Sequence, residues 1–99
     1  MDETEWRILN LVAKRGSIGT SREDFFREIR GVDFEELERG ILALEKDGYV
    51  NVEWLDNSKF IITITDAGST EVKAEYERRL KVYQERIAAQ KSKAGLGRT

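Results

Sequence analysis

The chain has 99 residues, of which 36% are charged and 39% apolar, with a formal net charge of −2. That size predicts one domain with at most an appended element, and no apolar run approaches the roughly 18 residues a membrane helix needs. Without cysteine there are no disulfides, and without cysteine or histidine a zinc site is not expected. The acidic start MDETEWR lacks the basic-then-apolar order of a secretory signal, so the expected location is cytoplasmic.

Charge is unevenly distributed. Residues 1–65 hold nine basic against fourteen acidic side chains, a balance of −5, which leaves +3 for residues 66–99. The acidic half is the one that carries the folded-domain pattern. This counts against generic nucleic-acid binding by many lysines and arginines facing phosphates. It leaves room for a local basic patch, since net charge does not describe one face.

In chain order, residues 5–13 predict a first helix with Trp6, Leu9, Val12 and Ala13 on one face and Ile8 and Leu11 widening it. Lys14 and Arg15 suit its C-terminal dipole, and Gly16 follows. A short strand is expected around Ile18. A second helix is predicted over residues 21–29, with Phe25, Phe26 and Ile29 as its apolar face. Thr20 with Glu23, or Ser21 with Asp24, fits its capping box. Arg30-Gly31-Val32 is a tight turn, and Asp33 with Glu36 opens a third helix. Two short helices joined through a glycine match a helix-turn-helix.

Phe34, Leu37, Ile41 and Leu44 recur at helical spacing, and Lys46-Asp47-Gly48 stops that helix. Strands are predicted at 49–55 and 60–65, joined by Asp56-Asn57-Ser58-Lys59. In the first, Val50, Val52 and Trp54 alternate with polar residues. In the second, Ile61 and Ile62 are both apolar, so either could face the core. Gly68, Ser69 and Thr70 weaken the opening turn of a last helix that is strongly helical from Glu71 to Ala94. Tyr76, Leu80, Tyr83 and Ile87 are spaced 4, 3 and 4, a coiled-coil seam. Either a second copy covers this seam or the helix folds back on Trp6. The seam is favoured, because a helix of about 38 Å outruns a domain with a radius of gyration near 11 Å. Val72 is off the seam and is expected to pack on the domain. The predicted organisation is a folded domain over 1–65, a long helix over 66–94 and a flexible tail over 95–99. The fold class is mainly α with a small β-hairpin (α+β): a winged helix-turn-helix plus a long C-terminal dimerisation helix.

The stretches LERGILALEKDGYV and IITITDAGSTEV resemble the recognition-helix end and hairpin junction of winged-helix transcriptional regulators. The likeness is to PadR-like and MarR-like proteins and to small archaeal winged-helix proteins that dimerise through a coiled coil. It covers roughly residues 1–80. The resemblance implies a homodimer whose third helices enter successive major grooves of double-stranded DNA. By position it implies DNA contacts from Ser21, Arg22, Glu36, Arg39, Ala43, Lys46, Asn57 and Lys59, and a dimer interface of Tyr76, Leu80, Tyr83 and Ile87. The chain departs from the pattern at the start of the third helix, where Asp33, Glu35, Glu36 and Glu38 stand. That departure supports the alternative of an interaction module whose acidic third helix binds a basic protein partner. Adjacent carboxylates such as Glu35 and Glu36 point about 100° apart on a helix, with no histidine or cysteine beside them, so no enzyme activity, cofactor or metal is expected.

Overall fold

A computed structural model describes the backbone of residues 1–56 and 59–97, and the side chains of all of these up to Gln90. The fold is mainly helical with a small three-stranded antiparallel sheet, an α+β arrangement. The helices are α1 (Glu3–Arg15), α2 (Arg22–Glu28), α3 (Phe34–Lys46) and α4 (Asp66–Gly97). The strands are β1 (Thr20–Ser21), β2 (Val50–Trp54) and β3 (Phe60–Ile64), in the spatial order β1-β3-β2. Among the described residues no helix is long and apolar enough to cross a membrane.

Side-chain caps set the helix starts. The Asp2 carboxylate accepts from the Glu5 N–H at 2.8 Å, and Asp33 accepts from the Glu36 N–H at 2.8 Å. For α2 the cap is Ser21 in a reciprocal box with Asp24, not Thr20. Thr20 is instead a fully buried strand residue opposite Ile62.

Two expectations need correction. Ile18 is not in a strand: it ends a 3₁₀ turn (Gly16–Ile18) and is 79% exposed. The Gly19 N–H closes this turn on the Gly16 carbonyl, and Arg15 Nε donates to the Gly19 carbonyl, so pairing with β3 begins only at Thr20. Phe26 is not part of the core and is 47% exposed. Neighbours on a helix are 100° apart, and Phe25 takes the inward position, 6.2 Å from the Phe60 ring.

The core joins Ile8, Leu9 and Val12 of α1, Phe25 and Ile29, Leu37, Ile41 and Leu44 of α3, and Val50, Phe60 and Ile62 of the sheet. Strand register settles the phase left open in the sequence. Val52 pairs with Ile62 and Val50 with Ile64, and Ile62 is buried while Ile61 is only half-buried. Trp54 has the inward phase yet is 48% exposed, because it lies at the hairpin end, edge-on to Phe60 at 5.3 Å.

Thr65 ties the hairpin to α4. Its hydroxyl donates to the Gly48 carbonyl at 2.6 Å and accepts from the Gly68 N–H at 3.0 Å, and its N–H donates to the Tyr49 carbonyl. Val72 then packs against the core, and the Arg79 guanidinium lies over the Trp6 ring at 4.8 Å. At 1.5 Å per residue α4 is about 48 Å long. It gives the molecule its longest dimension, 65 Å against 28 and 21 Å. The helix runs to Gly97, three residues past its expected end at Ala94; of the expected tail, residues 98 and 99 lie outside the described residues.

Candidate nucleic-acid interface

The α3 surface follows from its core face. Leu37, Gly40, Ile41 and Leu44 point inward. At 100° per residue, the opposite side is then Glu35, Arg39, Leu42 and Lys46, and all four are exposed. Leu42 stands in the middle of this side with 46% of its surface in solvent.

Glu36 and Ala43 lie on the flank that turns toward α1. With Arg39 and Gly40 they line an open groove of about 530 Å³, closed on the other side by Asp2, Thr4 and Glu5. Three carboxylates therefore share this groove with one guanidinium. Partial burial pushes the Glu5 carboxyl above its ordinary value, and the neighbouring Asp2 adds to the shift. Asp2 and Glu5 were not candidates on sequence, since they lie 32 and 29 residues before the start of α3. The available signal was their place at the N-terminal end of α1, which only the α1–α3 crossing brings beside Glu36.

The opposite flank of α3 carries Phe34. Its ring stacks on Phe26, with centroids 6.2 Å apart and planes at 25°. Arg22 lies over both rings, 5.2 Å from Phe26 and 4.4 Å from Phe34. The Nε of Arg22 is buried with no hydrogen-bond partner. The Ser21 hydroxyl donates to Asp24 at 3.0 Å and accepts from the Asp24 N–H, so its capping role occupies it.

Asp24 is the polar centre of this region. It also receives the Ser21 N–H at 2.9 Å, Arg15 at 3.3 Å and the Arg27 guanidinium. These contacts, the Ser21 N–H foremost, hold its carboxyl below its ordinary value. This network ties the end of α1 to the start of α2, and it spends two arginines that would otherwise be available to phosphate.

At the hairpin tip Lys59 is exposed, and its N–H donates to Asp56 at 2.8 Å. The Leu55 N–H donates to the Lys59 carbonyl at 2.8 Å. Asn57, and Ser58 beside it, lie outside the described residues. The structure thus places Arg39 and Lys46 on the outward side of α3, Glu36 and Ala43 in the α1 groove, and Ser21 and Arg22 in internal contacts. On α4, Tyr76 and Tyr83 are each 60% exposed, Leu80 is exposed and Ile87 half-buried. No protein-family model matches the chain, and no curated protein or solved structure matches it.

Proposed function

We propose that this chain is a winged helix-turn-helix protein that binds duplex DNA as a homodimer and regulates transcription. One observation carries the reading: the element order α1-β1-α2-α3-β2-β3 with sheet order β1-β3-β2. The same order of elements and strands is that of a winged helix-turn-helix, and this supports the reading. In that arrangement α3 enters a major groove and the hairpin lies along the flanking backbone. Arg39 and Lys46 meet the DNA from α3 and Lys59 meets it from the hairpin. The apolar row of exposed Tyr76, Leu80 and Tyr83 and half-buried Ile87 on α4 supports dimerisation through that helix.

The test is binding to duplexes selected from a random pool, titrated against salt. Arg39→Ala weakens binding by about 1–3 kcal/mol and relaxes specificity, whereas Lys59→Ala lowers the salt slope by about 1 with little effect on specificity. No binding to any duplex at low salt overturns the reading. A second reading has its own support in the groove of Asp2, Glu5 and Glu36, whose negative field suits a basic protein segment. In that case the Arg39→Ala, Lys59→Ala double variant leaves DNA behaviour unchanged.

A further inference from the structure

Helix α4 has opposite charge at its two ends. Residues 66–77 carry Asp66, Glu71, Glu75 and Glu77 against Lys73, a balance of −3; residues 78–90 carry Arg78, Arg79, Lys81 and Arg86 against Glu85, a balance of +3. The apolar row spaced 4, 3 and 4 reads the same in both directions. Run antiparallel, it sets Tyr76 against Ile87 and Leu80 against Tyr83 of a second copy, so each bulky ring meets an aliphatic side chain. Run parallel, it stacks Tyr76 on Tyr76 and Tyr83 on Tyr83, and sets +3 beside +3.

The flank of the row also matters. Arg79 sits on the flank facing α1, where it pairs with Glu3 at 3.0 Å and Glu75 at 3.0 Å. Arg78 pairs with Glu75 at 2.6 Å and Glu71 at 2.7 Å. Three carboxylates here meet two guanidiniums, leaving one negative charge over. Arg86 lies seven residues after Arg79 and therefore on the same flank. A twofold axis between antiparallel helices sets this flank against the same flank of the second copy. With Tyr76 opposite Ile87, Arg86 of the second copy arrives level with residue 77, within a turn of both Glu75 and Arg79.

We propose that two copies pair antiparallel through α4, and that Arg86 of each joins the Glu3–Glu75–Arg79 cluster of the other. The inference rests on the dimer in the reading above and not on its DNA ligand.

The absence of cysteine makes the test clean. Tyr76→Cys and Ile87→Cys chains are prepared separately, mixed and oxidised, with light scattering to give the mass of the native chain. The expected product is a mixed disulfide dimer, with little self-crosslinking of either variant alone. Self-crosslinking of Tyr76→Cys, or a native chain that stays monomeric at micromolar concentration, overturns the proposal. DNA binding is measured on the same samples, so a dimer without DNA binding sinks only the functional reading. Arg86→Glu is expected to raise the dimer dissociation constant roughly threefold to tenfold, and adding Glu3→Arg to restore it. A tighter dimer with Arg86→Glu overturns the pairing, because it is the outcome for parallel helices.

Discussion

The guanidinium of Arg22 lies across the Phe34 ring, 4.4 Å from its centre, and bridges the start of α2 to the start of α3. Phe26 completes a triangle with them, its ring 5.2 Å from the guanidinium and 6.2 Å from the Phe34 ring. These contacts pack the start of α2 against the start of α3. A cation over aromatic faces contributes about 0.5–2 kcal/mol, more when water is excluded. Arg22→Ala is therefore expected to lower the melting temperature by roughly 4–8 °C, the shift for about 1 kcal/mol in a domain of this size. Arg22→Lys recovers only part of this, because an ammonium lacks the planar group that stacks. Thermal unfolding followed by circular dichroism checks both.

Asp24 and Glu5 make stability depend on pH with opposite signs. The folded protein holds the Asp24 proton less tightly than the unfolded chain, whose ordinary value is 3.8. Its ionised form therefore contributes stability above that value, and the contribution is lost as pH falls through the folded value. Asp24→Asn is expected to cost about 1–3 kcal/mol at pH 7, since it removes a buried acceptor of charged hydrogen bonds. The cost fades in strong acid, where the native carboxyl is also neutral. Glu5 is raised above its ordinary 4.5, so its ionisation costs stability as pH rises through the folded value. Glu5→Gln is expected to be more stable than the native chain at pH 7 and equal to it below the ordinary value. Urea unfolding at a series of pH values separates the two.

Helix periodicity and caps were legible because they are local. Asp33, Gly48 and the Leu37-Ile41-Leu44 row act within a few residues of each other. The pairing of β2 with β3 follows from alternation and a short turn. What was not legible is set by contacts distant in sequence. In the seven residues of α2, the pattern cannot say which of Phe25 and Phe26 faces inward; Phe60, 35 residues on, decides it. The candidate site is affected in the same way. Counting around α3 finds its exposed side, but not that Glu36 and Ala43 turn toward Asp2 and Glu5. Nor does the sequence reveal that Arg22 is engaged by two rings, since the crossing of α2 and α3 creates that contact.

The Thr20 hydroxyl is fully buried and has no hydrogen-bond partner. Burying such a group unpaired costs about 1–3 kcal/mol. Valine has nearly the same shape and replaces the hydroxyl with a methyl among apolar neighbours that include Ile62. Thr20→Val is therefore expected to stabilise the fold by about 1 kcal/mol. The helix start is unaffected, because Ser21 is the cap. Ser21→Ala is the contrasting change: it removes the cap and is expected to cost about 0.5–2 kcal/mol. Denaturant midpoints of the two variants should move in opposite directions.

Gly40 and Gly68 are both close-contact glycines within helices, yet their neighbours predict different costs for alanine. A Cβ on Gly40 would lie 2.6 Å from Ile8 Cδ1, the free end of a side chain that can rotate away. A Cβ on Gly68 would lie 2.1 Å from the Tyr49 carbonyl oxygen and 2.8 Å from Ile64 Cγ1. That carbonyl is held in place by the Thr65 N–H, so the α4 backbone itself must move. Alanine gains about 1 kcal/mol of helix propensity at either position. At Gly40 that gain offsets much of an overpacking cost of about 1–3 kcal/mol, so Gly40→Ala is expected to be only mildly destabilising. At Gly68 the clash dominates, and Gly68→Ala is expected to cost at least about 3 kcal/mol and to loosen the departure of α4. Ser69→Ala, exposed one residue further on, is the control and should be neutral or slightly stabilising. Equilibrium unfolding of the three variants gives the order, and a Gly68→Ala chain as stable as the Ser69→Ala control would mean that α4 does not leave the hairpin at this angle.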